Sequence, residues 1–418
     1  MSHVGAPARS IDEHLAAVLS LSRTTAPVTL PSVAALGSVL AADAVATLAV
    51  PPFSNSAMDG FLLHAADLNG AGPWTLPVAG DVPAGSTAVE VPRGAAVRIM
   101  TGAPVGDPVD PGLIVVPVEQ TTTPPGPGVL PAEVTVREVT PGRAHIRRAG
   151  ANTSPGDVVA RAGTRVDAGT LAALVSAGVD SVSTHPPVRV AVISSGDELV
   201  EPGVTPGPGQ IPDSNGLMLA ALLTEAGVSD VSRAHAGDVD GGFAEELSRA
   251  CTDNDLVITS GGVSAGAFDV VREVTGAGDM WFGHVAQKPG APQGLGVWED
   301  TPLVCLPGNP VAAFVSFHLY VAPLVRALAG HPAPASQLAR PHVTAVAERE
   351  FPVPRDRAII VPVRLDWSTG RAVATPFARR GVGSHLVASL VATDGLAVIA
   401  PDAPAPAAGD PVTVVLTH

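Results

Sequence analysis

Val188-Arg189-Val190-Ala191-Val192-Ile193 runs directly into Ser194-Ser195-Gly196-Asp197-Glu198. An apolar run followed at once by two hydroxyls, a glycine and two carboxylates reads as a buried parallel strand that delivers a polar turn. The pattern recurs twice. Residues 256–259 (LVIT) lead into Ser260-Gly261-Gly262-Val263-Ser264-Ala265-Gly266, and residues 303–306 (LVCL) lead into Pro307-Gly308-Asn309-Pro310. Helical patterns separate them, at 216–225 (stopping at Gly227), at 243–251, and from Pro310 onward. This strand–loop–helix repetition predicts a doubly wound α/β domain over residues 186–330.

Outward from that core the texture changes. Upstream, a helix is expected from Ser10 to Leu19, with Ser10 as N-cap, Glu13 completing a capping box, and Ile11, Leu15 and Val18 on one face. A second helix is expected over 31–42, with Pro31 at its start. Residues 51–139 alternate short β-branched runs (74–78, 96–99, 114–118, 133–138) with Gly/Pro turns, and 121–128 reads as a surface loop. The earlier style returns over 145–182, with a helix at 170–177 that ends at Gly178. The expected organisation is one domain split between 1–50 and 140–185, a β-rich insert at 51–139, the α/β domain, and a small β-domain at 331–418 with strands near 343–346, 358–365 and 413–416. No repeat of fixed period is present.

The chain has 418 residues, enough for roughly two to four domains. Hydrophobic residues make up 46% and aromatics 3%, so the cores are aliphatic. A net charge of −15 argues against nucleic acid and anionic membrane as partners. An anionic substrate then needs a local basic or amide-rich pocket, or a bridging cation. The two cysteines, Cys251 and Cys305, lack CxxC spacing and read as buried, reduced thiols. Asp12, Glu13 and His14 precede any apolar run, unlike a signal peptide. The most apolar stretch, 311–325, is too short to span a membrane, contains His318 and ends at Arg326, which predicts a buried helix. A cytoplasmic protein is expected.

Ligands of open parallel sheets bind at the carboxyl ends of strands. Ser195 and Glu198 sit at the first such end. At the second, glycines let backbone N–H groups approach an anion, Ser260 and Ser264 add donors, and Asp269 follows within reach of a metal at a phosphate. Neither GxGxxG nor GxxxxGK[ST] occurs, which disfavours dinucleotide and P-loop binding. At the third, Pro307-Gly308-Asn309 opens a helix whose N-terminal amides favour an anion. Asp213-Ser214-Asn215-Gly216 holds more polar groups than an N-cap requires, and Pro52–Gly60 is polar where bland residues would suffice.

Six segments, PFSNSAMDG (52–60), IMTGAPV (99–105), ISSGDEL (193–199), GQIPDSNG (209–216), ITSGGVSAG (258–266) and LPGNPVAAF (306–314), together resemble the molybdopterin molybdenumtransferases, the MoeA proteins and the C-terminal domain of gephyrin. The resemblance covers nearly the whole chain. It implies a split elongated α+β dimerisation domain, a β insert, a molybdopterin-binding α/β domain and a C-terminal β-barrel-like domain. The implied reaction transfers molybdenum from molybdate to the dithiolene of adenylylated molybdopterin, with Mg²⁺-assisted release of AMP. Asp59, Glu198, Asp238 and Asp269 become the acidic residues of the cleft, with Asp240 an alternative to Asp238, and Glu198 and Asp269 become metal ligands. Thr101, Ser260, Gly261, Gly262, Ser264, Pro307 and Asn309 match pterin- and phosphate-binding positions. A homodimer is implied, its cleft shared and Asp59 facing the partner's α/β domain, with a molybdopterin adenylyltransferase as partner enzyme.

The chain also departs from that family's pattern. Lys288 is present in Gln287-Lys288-Pro289-Gly290-Ala291-Pro292, but Ala291 stands where a lysine is usual. Asn152 replaces an aspartate, and Pro362 an arginine, while Arg357 and Ser384 match oxyanion-site positions. These departures leave open an active transferase with a weaker molybdate site and a paralogue with altered metal preference or reduced activity. An adenylyltransferase and a gephyrin-like scaffold are the rival classes.

Overall fold

The computed structural model describes residues 7–23, 25–237, 242–263, 270–276, 279–377 and 386–417. The chain divides into two compact units, one of Met1–Val28, Gly37–Val39 and His185–His418, the other of Thr29–Leu36 and Leu40–Thr184.

The first unit is built on a six-stranded sheet in the order Asp230–Ala236, Arg189–Ser195, Leu256–Ser260, Thr301–Leu306, Pro292–Trp298, Asp279–His284. The first four strands run parallel, and the last two each pair antiparallel with the strand before them. Successive side chains of a strand point to opposite faces, and here both faces are covered. Val190, Val192, Ile258 and Leu306 pack with Leu15, Leu219, Phe317 and Tyr320 on one side. Ala191, Ile193, Val257 and Cys305 pack with Phe243, Leu247 and Val271 on the other. This is the doubly wound arrangement that the apolar runs predict. The two antiparallel strands are additions. Gly283, Gly294 and Gly296 interrupt their apolar pattern, so no run of strand type marks them.

Helices keep close to their sequence signals. Ile11–Leu19 carries the full capping box, Ser10 Oγ accepting from the Glu13 amide at 3.2 Å and Glu13 Oε2 from the Ser10 amide at 2.7 Å. Asp213 caps Ser214–Glu225. Pro310–Leu328 is a 19-residue helix of mean hydropathy 1.6, with a π-helical turn over Phe317–Val321. Among the described residues it is the one helix long and apolar enough to cross a membrane, so the expectation that this stretch is too short is corrected. It is nevertheless 83% buried inside the protein, as a core helix is.

The same unit ends in a β-barrel-like sheet. Val373–Pro376, His342–Ala347, Pro411–Leu416 and Gly395–Ile399 follow Ala358–Asp366 in order, and Gly395–Ile399 pairs back onto Ala358–Asp366 to close the ring. Gln287–Lys288 adds to it in parallel, Lys288 opposite Ile359.

In the second unit, a five-stranded sheet runs in the order Leu113–Pro117, Gly60–His64, Ala96–Ile99, Trp74–Val82, Glu133–Val136. Ala168–Ser176, capped by Asp167, ends ahead of Gly178 at φ 70°. The helix expected over 31–42 is absent. Pro31 closes the strand Val28–Pro31, Ser32–Ala34 is a single 3-10 turn, and Leu40 pairs with Thr184. Val33 and Leu36 are 74% and 62% exposed, and Gly37 turns at φ 86°. Tertiary pairing overrides the local helical pattern.

Cys251 and Cys305 are buried thiols outside any disulfide, and burial pushes the Cys251 thiol up to about 11. His14 is fully buried, edge-on to Tyr320 at 4.6 Å, and neither ring nitrogen meets a protein partner. Burial, with Arg9 nearby, lowers its pKa to about 3. Above its ordinary value of 6.5 the ring is neutral in folded and unfolded chains alike. Between 6.5 and about 3 only the unfolded chain takes the proton, so stability falls as pH drops through that window. The expected loss is about 4–5 kcal/mol across the window. His14→Leu should remove that component. Denaturant unfolding of both chains at pH 7 and pH 4 checks it, and parallel pH profiles would refute it.

Candidate active site

The three strand-end turns meet because their strands are in register. Ser194 lies opposite Ser260, and Ser260 opposite Leu306, so all three strands finish on one level. The Gly261 amide donates to the Leu306 carbonyl at 3.1 Å. Gly261 sits at φ 101°, and a Cβ there would lie 2.9 Å from the Ser195 carbonyl. A Cβ on Gly308 would lie 3.5 Å from the Gly261 Cα. Glycine is what lets the turns stack this closely.

A fourth segment ties them. Asp213 Oδ1 accepts from the Gly216 amide at 2.9 Å and caps the helix, which leaves Asn215 free for another task. Asn215 Nδ2 donates to Ser260 Oγ at 2.8 Å and to the Gly308 carbonyl at 2.7 Å. The surplus of polar residues at 213–216 therefore has a structural use, joining the first helix of the sheet to the second and third turns. Buried Ser194 Oγ, Thr259 Oγ1 and Asn215 Oδ1 keep no protein partner.

Glu198 folds back over Gly196, where φ is 141° and a Cβ would meet Glu198 Oε2 at 2.5 Å. The Gly196 carbonyl faces His235 Nε2 at 3.1 Å. On the far side, Gln287–Lys288 pairs with the start of Ala358–Asp366, the strand that Arg355-Asp356-Arg357 leads into, and Lys288 lies opposite Ile359. Arg357 pairs with Asp356 at 3.2 Å, and that contact holds the Asp356 carboxyl below its usual range.

These groups enclose a cavity of about 1370 Å³. Ser195, Glu198, Ser260, Gly261 and Gly262 line it from the strand ends, and Asp213, Ser214, Asn215, Pro307 and Asn309 from the helix starts. Lys288 and Arg357 line it from the opposite side. Ala291, standing where a lysine was expected, lines it too, as does Arg355, which the sequence reading passed over. Gln287 was also missed. The signal for Arg355 was available, an arginine two residues before Arg357 in the lead-in to one strand.

Asp59 and Thr101 belong to the other compact unit. The Thr101 amide and hydroxyl both donate to Asp59 Oδ1, at 2.6 and 2.7 Å, and hold that exposed carboxyl below its usual pKa. Asp238, with its alternative Asp240, and Ser264, Asp269 and Ser384 lie outside the described residues. Among the described residues no three His, Cys, Asp or Glu side chains are grouped to hold a metal. Glu198 supplies one hard oxygen donor to the cavity, which suits a cation that takes one or two carboxylates and completes its shell with water and phosphate. The arrangement of backbone amides, hydroxyls and helix starts opposite Lys288, Arg355 and Arg357 suits a phosphorylated ligand at one end and an oxyanion at the other.

Residues 9–178 match the MoeA N-terminal region (domain I and II), residues 191–327 a probable molybdopterin binding domain, and residues 344–417 the MoeA C-terminal region (domain IV). The chain is 39% identical to molybdopterin molybdenumtransferase 2 of Mycobacterium tuberculosis, over 97% of this chain and 99% of that one. It is 33% identical to molybdopterin molybdenumtransferase of Haemophilus influenzae, over 91% of each. A crystal structure of the molybdopterin biosynthesis MoeA protein from Pyrococcus horikoshii has a TM-score of 0.80 to it at 25% identity, covering 98% of this chain and all of that one.

The tie made by Asn215 is directly testable. Asn215→Ala should destabilise the first unit by about 1–3 kcal/mol, since the buried Ser260 hydroxyl oxygen loses its donor, as does the Gly308 carbonyl. Asn215→Asp should cost more, because a carboxylate then faces that carbonyl. Urea unfolding midpoints check the order, and an aspartate variant as stable as wild type would contradict it.

Proposed function

The chain belongs to the molybdopterin molybdenumtransferase family, and from that premise we propose how its cavity serves molybdenum cofactor biosynthesis. It is an enzyme of that biosynthesis, handling molybdopterin and molybdenum. The rival readings, an adenylyltransferase, a divergent paralogue or a scaffold, are not favoured by relatives that match over the whole chain.

In the proposed reaction the pterin arrives adenylylated. The amides of Gly261 and Gly262, the hydroxyls of Ser195, Ser260 and Ser264, and the helix starts at Ser214 and Pro310 hold its phosphates and pterin, with Asp213, Asn215, Pro307 and Asn309 shaping the walls. Molybdate, the second substrate, is received by Lys288, Arg357 and Ser384. Glu198 and Asp269 would hold Mg²⁺, which when bound offsets negative charge on the phosphate oxygens. Asp59 and Asp238 orient the water that cleaves the phosphoanhydride, so that AMP leaves as molybdenum passes to the dithiolene. Asp59 is suited to this, since Thr101 keeps it ionised and aimed. We propose further that two chains pair, Asp59 of each serving the α/β domain of the other, and that a molybdopterin adenylyltransferase in the same cytoplasm supplies the substrate.

One observation supports the reading above the rest. Three turns that a parallel sheet brings to one edge, and two cationic segments across from them, line a single cavity. Ala291 removes one expected cation, so molybdate affinity should be weaker by about 1–3 kcal/mol than with a lysine there.

The purified chain, given adenylylated molybdopterin and magnesium, is expected to release AMP in a molybdate-dependent way. Glu198→Gln should lower kcat about a hundredfold with little change in melting temperature. AMP chromatography measures release and kcat, thermal unfolding measures the melting temperature, and no release at millimolar molybdate would overturn the proposal.

A further inference from the structure

Two buried glutamines lie under the cavity loop and take no part in the chemistry above. Gln287 Nε2 donates to the Pro289 carbonyl at 3.0 Å, and its Oε1 accepts from the Tyr320 hydroxyl. Gln293 Nε2 donates to the Gly290 carbonyl at 2.8 Å and to Ser316 Oγ at 2.6 Å. All four side chains are fully buried. The two carbonyls are consecutive in the loop, so the loop is fastened at neighbouring peptides by two separate arms.

Both arms end on one helix. Ser316 and Tyr320 are four residues apart in Pro310–Leu328 and project from the same side of it, at the start of and within the π turn. The start of that helix, at Asn309 and Pro310, lines the cavity, as do Lys288, Pro289, Gly290 and Ala291 of the loop. Loop and helix approach closely. A Cβ on Gly290 would lie 3.0 Å from Ser316 Oγ and 3.3 Å from the Ala312 carbonyl. Apolar residues would fill this space without the cost of burying so many polar atoms. A hydrogen-bonded network instead favours one geometry, with Gln293 Oε1 the one amide oxygen of the two glutamines that meets no protein donor.

We propose that Tyr320 and Ser316 are positioning residues, which act through Gln287 and Gln293 to hold the Lys288–Ala291 loop where Lys288 meets a tetrahedral oxyanion. This rests on the reading of Lys288 as part of the molybdate site. Neither residue touches the ligand. Their effect is to remove the ordering of the loop from the cost of binding, so their loss weakens oxyanion capture more than turnover.

Tyr320→Phe removes one oxygen and keeps the ring. It should speed amide hydrogen exchange in the 286–293 peptide, and raise the molybdate KM of AMP release about tenfold while kcat falls less than threefold. Ser316→Ala, which loosens the other arm, should do the same, and stands in if Tyr320→Phe folds poorly. In a Lys288→Ala background either change should add little to the KM. Wild-type loop exchange in both variants would overturn the proposal, as would a tenfold KM increase that persists in full without Lys288. A Lys288→Ala enzyme with unchanged molybdate KM defeats the oxyanion reading instead. The clamp then stands or falls on loop exchange alone.

Discussion

Parallel strands paired in register must end together, and that constraint arranges everything else at this site. Because Ser194, Ser260 and Leu306 lie on one line across the sheet, the turns that follow them are neighbours whatever their sequence. The backbone ladder does not dictate how closely those turns stack. Glycine at 261 and 308 permits the contact, and the Asn215 amide, reaching both Ser260 and the Gly308 carbonyl, draws it tight. A ladder of main-chain bonds thus sets the coarse geometry and a single side chain sets the fine one.

The electrostatics follow the same division. The chain carries −15, yet its cavity sets Lys288, Arg355 and Arg357 among Glu198, Asp213 and Asp356. With cationic and anionic side chains balanced in number among the described residues, selectivity for an anion falls to oriented dipoles, the amides of the glycine turn and the starts of two helices. Such dipoles act at short range, so the general negative field repels bulk polyanions without preventing capture of a small phosphorylated ligand.

Much of this was legible beforehand, for a physical reason. Strands buried on both faces must be continuously apolar, so residues 188–193, 256–259 and 303–306 announced the sheet and, at their ends, the site. Capping signals at Ser10 and Gly178 were equally local. The failures share the opposite character. The segment after Pro31 has helical spacing, but its conformation is decided by pairing with residues far along the chain, Thr184 among them. The strands Asp279–His284 and Pro292–Trp298 carry glycines that only neighbouring strands make tolerable. Arg355 and the Gln287–Tyr320 contact are features of tertiary assembly, joining residues that no periodicity relates. Asp238, Ser264, Asp269 and Ser384 lie outside the described residues, so their contribution rests on resemblance alone.

The two cysteines carry a practical corollary. Both are enclosed in the face of the sheet opposite the Pro310–Leu328 helix, and burial keeps the Cys251 thiol protonated far above neutral pH. Nucleophilic sulfur is the thiolate. In the closed molecule neither sulfur can be alkylated at an appreciable rate. Arylating or maleimide reagents therefore see only chains in which that layer has come apart, and labelling kinetics become a clock for its opening, with no probe to install.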